Sequence, residues 1–160
     1  MKQGSTLFLK IVIVLIGIPV LALCIFLVPA IANYAVELYP DYSFIKYLIF
    51  IDLYASAIPF YIALYQAFKL LGYIDKNNAF SDFSVKVLKN IKNCAITICG
   101  VYVAGMPLYY LISEKDDAPG IIIIAMVMIF ASMVIAVFAA VLQKLLKEAI
   151  DIKSENDLTV

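Results

Sequence analysis

Four long apolar stretches decide what this chain can fold into. They cover about residues 7–32, 44–71, 94–112 and 120–142. Roughly 20 helical residues cross a hydrocarbon core of about 30 Å, and each stretch is close to that length or longer. The runs are continuously apolar rather than alternating, which excludes the strands of a membrane barrel. Inside lipid each segment must satisfy its own backbone groups, so the runs predict helices. The expected fold is all-α, an integral membrane bundle of four transmembrane helices forming a single domain over residues 1–160. Composition agrees: 65% of the residues are hydrophobic and mean hydropathy is +1.01. That leaves too little polar surface to coat a soluble globule of this size.

Lysine placement predicts the orientation. Lys2 and Lys10 lie at the N-terminus, Lys69, Lys76, Lys86, Lys89 and Lys92 in and around the loop 72–93, and Lys144, Lys147 and Lys153 in the tail 143–160. The other two connections hold only Lys46 and Lys115, beside Glu37, Asp41, Glu114, Asp116 and Asp117. Both termini and the middle loop are therefore expected in the cytoplasm, with the chain multi-pass in a bacterial plasma membrane. Tyr34, Tyr39, Tyr42, Tyr47, Tyr109 and Tyr110 suit the headgroup level at the opposite boundary. The first apolar run is too long for the core of a signal peptide, and Leu23 is poorly placed for a lipoprotein cleavage site before Cys24, so no cleavage is expected.

Missing residue types narrow the chemistry. The chain has no His, Arg or Trp, and its formal net charge is +0. An imidazole base, a Ser-His triad and a guanidinium clamp are all excluded, and nucleic acid is not an expected partner. Cys24, Cys94 and Cys99 are scattered without disulfide or metal spacing and read as small core residues. No cofactor, no metal and no enzymatic activity are expected. Asp52 is the one carboxylate within an apolar run, and an intramembrane acid is a functional candidate by default. Counting back about 20 residues from Leu71 places it at the outer interface below Lys46, where snorkelling is cheap and favours a structural role. Pro19, Pro29, Pro59 and Pro107 are expected to kink spans, and Ser56, Gln66, Thr97, Ser132 and Gln143 to bond between helices.

In the middle loop Gly72 is expected to end the second span, with a turn at Asp75-Lys76-Asn77-Asn78. Ser81 is a candidate N-cap before Asp82. Phe83, Val87, Leu88 and Ile91 then fall on one face, with Lys86, Lys89, Asn90 and Asn93 towards the other. This pattern predicts a short amphipathic cytoplasmic helix before the third span. Lys86, Lys89 and Lys92 can contact anionic lipid or an acidic partner at about 1 kcal/mol each, although topology signalling alone also accounts for them. The tail is expected to stay helical to about Ser154 and then fray, leaving Glu155, Asn156, Asp157 and Leu158 as candidate docking residues. Matches of Ala55-Ser56 with Ala131-Ser132 and of Ile74-Asp75 with Ile150-Asp151 suggest two related hairpins, the tail answering to the middle loop and likewise ending in an Asn-containing turn.

Two stretches carry a family resemblance. One is Ile74-Asp75-Lys76-Asn77-Asn78-Ala79-Phe80-Ser81 with the following Val85-Lys86-Val87-Leu88-Lys89-Asn90-Ile91. The other is Leu142-Gln143-Lys144-Leu145-Leu146 running into Ile152-Lys153-Ser154-Glu155-Asn156-Asp157-Leu158-Thr159-Val160. Together they resemble the small bacterial membrane proteins of domain of unknown function 2975, over essentially the whole chain. The resemblance implies a four-helix membrane protein with no assigned activity and no catalytic residues. It also implies a partner, since such proteins are commonly encoded beside a small helix-turn-helix regulator. The leading expectation is a non-enzymatic membrane protein that restrains or signals to such a cytosolic regulator, with a homo-oligomer also open. The alternative is a small transporter, channel or peptide-resistance protein, motivated by Asp52, the prolines and the possible duplication.

Overall fold

The computed structural model describes residues 2–42, 44–116 and 120–159; Asp117 of the acidic connection and Val160 of the tail lie outside the described residues. Four helices hold most of the chain: α1 (Lys2–Leu38), α2 (Ile45–Asp75), α3 (Asp82–Asp116) and α4 (Gly120–Thr159). All four are long and apolar enough to cross a membrane. At 1.5 Å per residue, the rise from Lys46 to Lys69 along α2, and from Lys92 to Lys115 along α3, is about 35 Å. That is slightly more than the hydrocarbon thickness. Lys10, Lys69, Lys92 and Lys144 are thus the first lysines beyond the lipid on their helices. They sit at the end of the molecule that carries both termini, called here the terminal end.

Packing follows chain order. α1 lies against α2, α2 against α3 and α3 against α4; α1 and α3 approach slightly, and α4 packs on α3 alone. Steps of seven residues build the α1–α2 seam. Tyr54 donates to the Cys24 carbonyl at 2.9 Å and Tyr61 to the Gly17 carbonyl at 2.7 Å. One heptad further on, the Lys10 ammonium lies 5.4 Å from the centre of the Phe68 ring. One more reaches Asp75, which takes hydrogen bonds from Thr6 and from Lys10, the latter at 2.9 Å. A seven-residue period on both helices is the register of a left-handed antiparallel coiled coil.

The α3–α4 contact repeats in the same way. Ala125, Ser132 and Ala139 are buried, and Ile122, Ile129, Ala136, Gln143, Leu146 and Ile150 are half-buried between and beyond them. The small residues let the two backbones approach, which is how helices associate in lipid, where the hydrophobic effect gives no advantage. A compact core closes the opposite end, where Ala32, Ala35, Ile45, Ile49 and Ile112 are buried together. Tyr39 seals it by donating to the Leu111 carbonyl at 2.7 Å, under the Lys115 ammonium at 5.0 Å.

Four details differ from the sequence reading, each for a local reason. α2 does not stop at Gly72 but runs on to Asp75, because one helical glycine costs only about 1 kcal/mol. It ends in a Schellman closure, with Asn78 N–H on the Tyr73 carbonyl at 2.8 Å and Asn77 N–H on Ile74 at 3.1 Å. Asn77 supplies the left-handed residue at φ 61°, so the turn falls where it was expected. Ser81 caps α3 as expected, accepting the Ser84 N–H at 3.4 Å. The amphipathic stretch is not a separate helix, however, since no Gly or Pro interrupts it before Cys94; it forms the opening turns of α3. Its buried face holds Val87 and Leu88 as expected, yet fully buried Ser84 takes the place foreseen for Phe83. Ser84 is small and donates to the Asn78 carbonyl at 3.2 Å, while Phe83 turns outwards against Tyr73, ring centres 5.8 Å apart.

The tail is the fourth difference. It does not fray after Ser154 but stays helical to Thr159. It contains no helix breaker, and Lys144–Glu148 and Lys147–Asp151 are opposite charges four residues apart. Asn156 therefore lies within a helix, unlike Asn77 and Asn78, so the expected correspondence between tail and middle loop fails there.

Candidate functional site

Asp52 sits about two turns inside the N-terminal end of α2. It does not reach outwards towards Lys46; its carboxylate turns sideways onto α3. The Tyr109 hydroxyl donates to Asp52 Oδ2. The space that receives this carboxylate is the missing side chain of Gly105. A Cβ built there would stand 2.5 Å from Asp52 Oδ1 and 2.7 Å from its Cγ.

The polar contacts continue along the α2–α3 interface. Buried Tyr109 stacks on Tyr102 with ring centres 6.5 Å apart. The Tyr102 hydroxyl lies 3.3 Å from Ser56 Oγ, and Ser56 donates to the Leu53 carbonyl at 2.7 Å. Helical spacing explains the alignment, because Asp52 and Ser56 are four apart on α2 while Tyr102, Gly105 and Tyr109 share one face of α3. Beside this chain lies an apolar groove of ≈ 490 Å³, whose walls include Leu48, Ala55, Ala104 and Leu108. A lone carboxylate bonded to a phenol can exchange a proton or hold two helices in register. Among the described residues no group of three or more metal-ligating His, Cys, Asp or Glu side chains forms.

A second polar cluster ties the terminal end together, and of its members only Gln66 is expected from sequence to bond between helices. Asp75 joins the end of α2 to Thr6 and Lys10 near the start of α1. Half-buried Asn90 on α3 reaches Gln66 on α2 at 3.4 Å. In sequence Lys10 reads as a topology signal and Asp75 as part of a turn and of a repeated Ile-Asp pair, neither as an ion-pair partner. The one available clue was the seven-residue step from Phe68 to Asp75. Asp75→Asn is expected to speed amide hydrogen exchange in the first turns of α1 and leave α3 and α4 unchanged. Equal acceleration in all four helices would show that the pair does not act locally.

The remaining candidates line the terminal end without forming one site. Lys86 and Lys89 are exposed on α3 and Lys92 is half-buried. Glu155, Asn156, Asp157 and Leu158 are all exposed near the end of α4, Leu158 at 84%. No ion pair joins the three lysines to this acidic segment among the described residues.

Comparison with known proteins agrees with this architecture. The family model described as "Protein of unknown function (DUF2975)" matches residues 30–160. Over its full length the chain is similar to a protein of Bacillus subtilis (strain 168) named uncharacterized membrane protein YoaS. The two are 74% identical over 160 residues, covering 100% of each. No solved structure matches.

Proposed function

Since the chain belongs to the DUF2975 family, a membrane family described without an activity, we propose that it acts by interaction rather than catalysis. Its terminal end is the working surface and faces the bacterial cytoplasm, the orientation that the lysine distribution favours. The observation that carries this reading is the continuity of α4. Beyond Lys144 the helix runs on for roughly 20 Å to Thr159, and every side chain from Asp151 to Leu158 is exposed. A helix already ordered loses less entropy on docking than a flexible tail, so this extension is suited to holding a soluble protein at the membrane. The partner implied by the family resemblance is a small helix-turn-helix regulator.

A crosslinking pull-down from native membranes tests this, comparing the full chain with one truncated after Lys147. Capture of the regulator by the full chain alone is the expected result. A regulator that stays soluble beside both forms would remove the proposal. The Asp52–Tyr109 contact favours a second reading, a small transporter, channel or peptide-resistance protein. That reading requires Asp52→Asn to abolish a transport or resistance phenotype in protein that still folds.

A further inference from the structure

Helix α4 carries a second stripe of apolar side chains at alternating steps of three and four residues. It consists of Ile135, Phe138, Leu142, Leu145, Ala149 and Ile152. Ala149 is half-buried and the other five are exposed. The stripe lies about 100° round the helix from the seam that packs on α3, and neither α1 nor α2 packs against α4. Its first half faces lipid and needs no other cover. Its second half lies beyond Lys144, where Leu145 is 56% and Ile152 66% exposed on a helix otherwise rich in charge. Apolar side chains at heptad spacing in water are the half-interface of a coiled coil.

Charge identifies the other half. With Leu142 and Ala149 at a and Leu145 and Ile152 at d, Glu148 falls at g and Lys153 at e. Two copies in one membrane share an orientation, so their α4 helices run parallel. In a parallel pair, g meets the e residue five positions on in the other chain. That places Glu148 opposite Lys153 of the second copy, twice by symmetry. An antiparallel pair brings g towards g and e towards e, so Glu148 and Lys153 would not meet.

We propose that the protein forms a parallel homodimer along this second α4 stripe, with its two-fold axis along the membrane normal. The occupant is thus a second copy of the chain, and the proposal holds whichever way the terminal end faces.

Two measurements on the full-length protein in membranes test it. With Cys24, Cys94 and Cys99 replaced, Ile152→Cys should form an intermolecular disulfide on mild oxidation, whereas Ser154→Cys, on the outer face, should not. In liposomes, with dimers counted by single-molecule photobleaching, Glu148→Lys or Lys153→Glu alone should weaken dimerisation about tenfold, because each turns two attractive pairs into repulsive ones. The double exchange Glu148→Lys with Lys153→Glu should restore wild-type dimerisation. Equal disulfide yields at both positions, a monomeric wild type, failure of the double exchange to rescue, or crosslinking of Ile152→Cys to a different protein would each overturn the proposal. None of these outcomes depends on capture of a regulator.

Discussion

Gly105→Ala is expected to destabilise the protein by about 1–2 kcal/mol, while Gly100→Ala, on the same helix, is expected to stabilise it. Alanine is the better helix former by about 0.5–1 kcal/mol, and that gain applies at both positions. At Gly100 nothing lies within 4 Å of an added Cβ, so the gain is realised. At Gly105 the added carbon would sit 2.5 Å from the Asp52 carboxylate. The short side chain can withdraw only by leaving the Tyr109 hydroxyl, and an unsatisfied buried polar group costs about 1–3 kcal/mol. The loss exceeds the helix gain. Reversible unfolding in mixed micelles, followed by circular dichroism, measures both signs. If the two substitutions shift stability in the same direction by similar amounts, Gly105 is not the cradle of Asp52.

The parts of this architecture legible in sequence are those set by local chemistry. Four apolar runs specify four helices because lipid leaves the backbone no alternative. The turn at residues 75–78 and the Ser81 cap follow from side chains that act within a few residues of themselves. The α1–α2 seam is half legible. Tyr54, Tyr61, Phe68 and Asp75 repeat every seven residues, yet two of their acceptors are the carbonyls of Cys24 and Gly17, and any residue offers a carbonyl. Asp52 shows the same limit from the other side. Counting residues placed it near the outer end of α2, but its direction depends on the space at Gly105 in another helix. The end of the tail was misjudged because charge and terminal position suggested fraying, whereas helix continuity depends on breakers and the segment has none.

Tyr109→Phe should cost more than Asp52→Asn, although both act on one hydrogen bond. Removing the phenol strands a carboxylate in apolar surroundings, a cost of about 1–3 kcal/mol. An asparagine at position 52 keeps an oxygen that accepts from Tyr109, so Asp52→Asn should cost well under 1 kcal/mol. Replacing both partners, Asp52→Leu with Tyr109→Phe, leaves no unpaired group and should be milder than Tyr109→Phe alone. The coupling energy from this cycle should be about 0.6 kcal/mol, the average for bonds between the helices of a membrane protein, and no more than about 1.7 kcal/mol. Additive effects, with no coupling, would mean that the contact does not hold α2 to α3. The same variants separate the two functional readings. If Asp52 only fixes register, Asp52→Asn keeps every phenotype that the stable fold keeps. If it moves a proton, Asp52→Asn folds normally and loses that phenotype, since an amide cannot exchange the proton that a carboxylate can.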